Sequence, residues 1–211
     1  MAVKIEVVES DHDKIRVRMK GVQRSYANAL RRLAMNYVPT MAIDEVVVLE
    51  NSSVIYDEMI AHRLGLVPLK TDLSRYVLPE DCDCENELGC KKCRVLLVLD
   101  TESTKPKTVY SGDLVSEDPE VCPTSATIPI AKLPQGRKIK LEAYAKLGRG
   151  LSHAKWQAVS VSVLKEVDGT SDFELFLESV GSLTAADIFR EAADSLRRNL
   201  ELIASKTKEL K

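Results

Sequence analysis

Four of the five cysteines crowd into one short stretch, as Cys82-x-Cys84 and Cys90-x-x-Cys93. Two close thiol pairs on a loop supply the four soft donors that a tetrahedral zinc ion takes. Gly89, just ahead of the second pair, lets the chain turn tightly so that backbone N–H groups face the sulfurs. Four thiolates leave no open coordination position, so a zinc ion here is expected to be structural rather than catalytic. The deaminase arrangement, a histidine and a glutamate ahead of Pro-Cys-x-x-Cys, is not in the sequence. A disulfide or free thiols are the alternatives: a reducing compartment favours metal, while intracellular hyperthermophile proteins do carry disulfides. Cys122, beside Pro123, has no cysteine near it and reads as a small, partly buried residue.

The other chemistry-bearing residues are less demanding. Glu58 and His62 fall one helical turn apart, but no second histidine or nucleophile accompanies them, so a structural, hydrogen-bonded histidine is expected. Gly148-Arg-Gly-Leu-Ser-His-Ala-Lys-Trp156 is a two-glycine turn with Arg149 and Lys155 nearby. It is neither a dinucleotide fingerprint, whose third glycine position holds His153, nor a P-loop. Arg31 and Arg32 sit between Leu30 and Leu33 and close to Asn28. Together these make a face another protein could dock on rather than a catalytic centre.

The elements that must position these residues follow from periodicity. Val3, Ile5 and Val7 alternate with charges, as do Ile15, Val17 and Met19, predicting a hairpin of half-buried strands that turns at 10–13. Ser25 is placed to cap a helix whose face is Tyr26, Leu30, Leu33 and Tyr37, ended by Pro39. Then come an apolar strand, a polar turn at 51–53, and a second helix closed by Gly65 and Pro68. Strands are expected at 46–49, 95–99, 139–144, 159–163 and 173–177, with a turn at Asp168-Gly169. Thr184, with Asp187 three residues on, starts a long final helix running from Ala185 to Lys206, on the order of 30 Å. Its stripe of Ile188, Phe189, Ala192, Leu196, Leu200 and Ile203 can lie on the chain's own sheet or against a partner's helix. It is longer than one small sheet readily covers, which favours the partner.

Composition limits the function classes. A chain of 211 residues with 45% hydrophobic and 29% charged residues is ordinary for a folded protein. The formal net charge of −2 and a pI near 6.0 leave no basic surplus for gripping phosphates, so protein partners are expected and direct sequence-specific nucleic-acid binding is not. No stretch has the apolar length to cross a bilayer and no signal-peptide pattern opens the chain, so the expectation is a cytoplasmic protein. The middle of the chain holds seven of the eight prolines and all the cysteines, the composition of an inserted β-rich domain.

The wording of two blocks resembles a known family. Asn28-Ala-Leu-Arg-Arg, Pro39, Ala42-Ile-Asp-x-Val46, Asn51-x-Ser53 and Asp57-Glu-x-x-Ala-His-Arg-Leu-Gly-Leu-x-Pro68 form the first, and Gly148–Trp156 the second. Both resemble the assembly subunit of multisubunit RNA polymerases: the archaeal D subunit, the eukaryotic third-largest subunit and the N-terminal part of bacterial alpha. The cysteine loop is similar to one in archaeal and eukaryotic members, in which it holds zinc. The resemblance implies an α+β fold in two parts: a discontinuous dimerization domain, residues 1–45 and 159–211, and an inserted β-rich domain, 46–158, carrying the four-cysteine loop at 82–93.

The implied function is non-catalytic. The chain would pair with the small L subunit and then dock the small N and P subunits and the two large catalytic subunits. The residues expected to meet partners are Asn28, Leu30, Arg31, Arg32, Ile188, Phe189, Leu196, Leu200, Ile203, His153 and Lys155. Where the family usually has Lys-Glu before the histidine, this chain has Leu151-Ser152. Some archaeal relatives insert an iron–sulfur module after the His-Ala-Lys-Trp element; here Trp156 runs directly into a strand and no cysteine follows Cys122, so no such cluster is expected.

Overall fold

A computed structural model describes residues 3–84, 86 and 89–209. In chain order the strands and α-helices are β1 (Lys4–Ser10), β2 (Lys14–Lys20), α1 (Arg24–Asn36), β3 (Pro39–Asn51), α2 (Asp57–Gly65), β4 (Val95–Glu102), β5 (Lys107–Tyr110), β6 (Val115–Ser116), β7 (Pro129–Leu133), β8 (Lys138–Arg149), β9 (Val159–Glu166), β10 (Phe173–Ser179) and α3 (Ala185–Lys208). The chain divides into two compact units, residues 1–38 with 149–211, and residues 39–148.

The first unit is an antiparallel sheet ordered β1-β2-β10-β9 with α1 and α3 packed on one face. Strict alternation in β2 and β10 sends Val17, Met19, Leu175 and Leu177 to the helical side, where they meet Ala27, Leu30, Ala34, Ile188 and Ala192. The other face is polar: Arg16 donates to Glu174 at 2.9 Å and Arg18 lies 3.4 Å from the same carboxylate.

Three details depart from the sequence expectation. Helix α1 starts at Arg24 behind Gln23, which makes no side-chain cap, so Ser25 is already inside it. Its buried face is Ala27, Leu30, Leu33 and Ala34, while Tyr26 is 50% exposed. The reason is close approach: alanines let the helix backbone settle onto the sheet, where tyrosines would hold it away. Strand β1 is exposed along almost its whole length, Ile5 and Val7 included, instead of half-buried like β2.

The second unit has a sheet ordered β3-β8-β4-β6, a two-stranded β5-β7 ribbon, and α2 packed against β3 and β7. Strands β4 and β8 pair antiparallel, from Val95 opposite Ala145 to Glu102 opposite Lys138. Their alternation buries Leu97, Leu99, Ile139 and Leu141 against Ile60 and Leu64 of α2. The border expected near residue 45 falls inside β3. Residues 149–158, expected in the inserted part, group with the helices of the first unit. The loop's contacts account for that: the Leu151 N–H donates to the Asn36 carbonyl at the end of α1, at 3.0 Å.

Candidate metal centre and docking faces

The four-cysteine loop springs from the end of a 3-10 turn, Pro79–Asp81, and returns to the sheet at β4. Its four Sγ atoms all lie within 4.8 Å of one another. Cys82 and Cys90 are 3.7 Å apart, Cys84 and Cys93 3.9 Å, and Cys90 and Cys93 3.9 Å. Four sulfurs about 2.3 Å from a central zinc sit about 3.8 Å from each other, so the spacing fits a tetrahedral ion and is far from the roughly 2.05 Å of a disulfide.

Backbone donors face the sulfurs: Cys90 N–H to Cys93 Sγ at 3.2 Å and Lys92 N–H to Cys90 Sγ at 3.4 Å. The Lys92 N–H helps hold the Cys90 thiol down at about 7, while burial pushes Cys93 up and burial with the neighbouring sulfurs pushes Cys82 up to about 12, so Cys90 becomes a thiolate before either of them. Gly89 has φ +78°, and a Cβ there would crowd Cys93 Sγ at 3.3 Å. Only glycine enters this left-handed turn without strain.

The loop is anchored on both sides. Arg94, following the last ligand, lies 3.6 Å over the Tyr144 ring and 3.2 Å from Glu45, and Lys146 meets Asp44 at 2.6 Å. Before the loop, the Tyr76 hydroxyl donates to Asp118, which Arg75 also reaches at 2.9 Å, and Val77 N–H donates to Lys92 O at 3.0 Å. These contacts fix the ligands from β3, β8 and the segment after β6.

The residues expected to meet partners are scattered in role. Leu30 and Ile188 are buried in the first unit's own core, and Phe189 and Leu196 are partly buried against it. Beyond Ser195 no described residue of α3 is buried: Leu200 is 48% exposed and Ile203 60%. Leu202, at 59%, joins them; it lies off the stripe marked by the helical spacing, and its signal was to be one more apolar residue in the run Leu200-Glu-Leu-Ile-Ala204. Asn28 Oδ1 accepts from Arg31 Nε at 2.9 Å, so those two are engaged within α1, while Arg32 is exposed.

His153 and Lys155 lie on the loop after β8. The His153 Nδ1 accepts the Lys155 N–H at 3.0 Å, and Lys155 Nζ stands 4.3 Å over the ring of buried Trp156. His62, expected to be hydrogen-bonded, is instead exposed on α2, which turns Ile60 and Leu64 inward.

Residues 41–170 match the family described as "RNA polymerase Rpb3/RpoA insert domain". Relatives named DNA-directed RNA polymerase subunit Rpo3 are 41% identical in Methanosphaera stadtmanae, over 82% of this chain and 67% of theirs, and 49% identical in Pyrobaculum islandicum, over 75% and 60%. The Archaeoglobus fulgidus relative is 44% identical over 78% of this chain and 61% of its own. The chain belongs to the archaeal Rpo3 family. It spans about three fifths to two thirds of the length of these Rpo3 relatives. The mixed α+β architecture with antiparallel sheets is the one expected of that family. Among the described residues no helix is long and apolar enough to cross a membrane.

Proposed function

We propose that the chain is a non-catalytic, cytoplasmic assembly subunit of a DNA-directed RNA polymerase, pairing with the L subunit before the small N and P subunits and the two large catalytic subunits dock. The observation that carries this is the division of α3. Its first half, through Ser195, is anchored in the core, and its second half presents Leu200, Leu202 and Ile203 with nothing of its own unit over them. The exposed strand β1, with Ile5 at 51% and Val7 at 62%, adds a second uncovered apolar edge in the same unit. Fully burying such a side chain is worth roughly 1.5–3 kcal/mol, about half of which is still to be gained at each of these, a favourable contribution set against the cost of association.

Zinc is the metal that suits four thiolates at this spacing. Cys82, Cys84, Cys90 and Cys93 would hold one ion, which would supply a cross-link in place of hydrophobic packing. With every coordination position filled by sulfur, the ion has no place for substrate.

The pairing face is tested by Leu200→Asp with Ile203→Asp, co-purified with the archaeal L subunit. Because both side chains are exposed, the variant should fold as wild type and fail to retain L. Leu196→Asp is a poorer choice, since Leu196 also packs at home. Retention of L at the wild-type level by the folded double variant would refute the pairing face.

A further inference from the structure

Between Ser103 and Gly112, and again between Ala126 and Leu141, the chain has no carboxylate but carries Lys105, Lys107, Lys132, Arg137, Lys138 and Lys140. The topology sets the two stretches side by side. Strand β5 pairs with β7, Lys107 opposite Leu133 and Thr108 opposite Lys132. The turns at 103–106 and 134–137 are joined through one buried serine. Ser103 N–H donates to Arg137 O at 2.9 Å, its carbonyl accepts from Gly136 N–H at 2.7 Å, and its hydroxyl donates to the Pro134 carbonyl and accepts from Arg137 N–H at 3.3 Å. Lys105 and Arg137 are thereby held on one ledge, next to the ribbon face that carries Lys132 and Thr108. Lys107 belongs to the opposite face, with Leu133, and its ammonium reaches Thr101 Oγ1 at 2.5 Å.

Two of the six cations are already neutralised. Lys138 lies 3.7 Å from both Glu50 and Asp100, and Lys140 3.6 Å from Asp100. Lys105, Lys107, Lys132 and Arg137 are exposed and have no ion pair among the described residues. They stand out against the sign of their own unit, which has thirteen Lys and Arg against eighteen Asp and Glu between residues 39 and 148. Like charges held together on a fixed surface repel, and an anionic partner relieves that repulsion.

We propose that this ledge docks a carboxylate-rich polypeptide segment of a neighbouring protein. Charge-assisted hydrogen bonds from the ledge's cationic heads suit carboxylates, and a short acidic segment need touch only the ledge. Duplex nucleic acid fits less well. Its phosphates would extend over a unit in which acidic residues outnumber basic ones, and the ledge offers a single guanidinium, with the ribbon's exposed aromatic, Tyr110, at the far end opposite Pro129. The proposal does not rest on the pairing face, which belongs to the other unit.

The test is fluorescence anisotropy of a labelled Glu/Asp-rich peptide of about ten residues titrated with the full chain, at about 50 and about 300 mM salt. A glutamine version of the peptide and a duplex of about 20 base pairs run in parallel. The expected result is saturable binding of the acidic peptide alone. It should be about tenfold or more weaker at the higher salt, and likewise for Lys105→Glu with Arg137→Glu at unchanged circular dichroism. If that variant fails to fold, Lys105→Gln with Arg137→Gln replaces it. Absence of saturable binding, or binding indifferent to the charge changes, overturns the proposal. Tighter binding of the duplex through the same residues does so too and makes the ledge a nucleic-acid surface.

Discussion

The Leu151 N–H donates to the Asn36 carbonyl at 3.0 Å, tying the loop after β8 to the C-terminal end of α1. This hydrogen bond demands such close approach that the neighbouring residue has no room for a side chain. A Cβ on Gly150 would run into the Met35 carbonyl oxygen and lie 3.3 Å from Asn36 Cα.

Gly150→Ala is therefore expected to destabilise the first unit by about 1–3 kcal/mol, since backbone atoms rather than a flexible side chain must yield. Thermal unfolding measures it. Gly136→Ala, at a positive φ but with open space around it, is the control for backbone strain alone. Equal melting temperatures for the Gly150 variant and wild type would mean the loop does not hold this position.

Metal analysis of the purified chain should find one zinc per molecule, and a strong chelator should lower the melting temperature. Cys82→Ser or Cys90→Ser should lose the ion, whereas Cys122→Ser should keep it, because only the first four sulfurs lie within 4.8 Å of one another. Full zinc occupancy in either ligand variant would contradict the four-thiolate site.

The Tyr76–Asp118 pair predicts stability losses at both ends of the pH scale. The Tyr76 hydroxyl, with help from Glu120 N–H and Arg75, holds Asp118 below the ordinary 3.8. Burial, then the Asp118 charge, pushes Tyr76 up to about 12. The carboxylate's contribution is complete above its unfolded pKa and is lost as pH falls through the lower folded one. The phenol's contribution is complete below about 10 and is lost as pH rises toward about 12. Tyr76→Phe should cost about 1–3 kcal/mol at neutral pH and flatten both flanks, read from urea midpoints across the pH range. A uniform drop with unchanged flanks would mean the pair is not the source.

Much of the fold was legible in the sequence. The strands expected at 15–19, 139–144 and 173–177 appear within 14–20, 138–149 and 173–179 with alternating buried and half-exposed residues, because period two leaves a strand little choice. Thr184 caps α3 by accepting the Asp187 N–H at 3.1 Å, as its local spacing required. The cysteines were equally legible, being candidate ligands close in sequence. What failed depended on distant chain. Ala27 and Ala34 carry almost no hydrophobic signal, yet they set the buried face of α1 because the sheet lies so close. The placement of residues 149–158 rests on contact with Asn36, more than a hundred positions earlier, which no local pattern encodes.

In the proposed assembly, the second half of α3 exists to be covered by another subunit. Light-scattering mass of the chain, alone and mixed with the archaeal L subunit, tests that claim most directly. The expected result is a one-to-one complex with L, and self-association or aggregation of the chain alone. A well-behaved monomer whose mass does not change when L is added would contradict it.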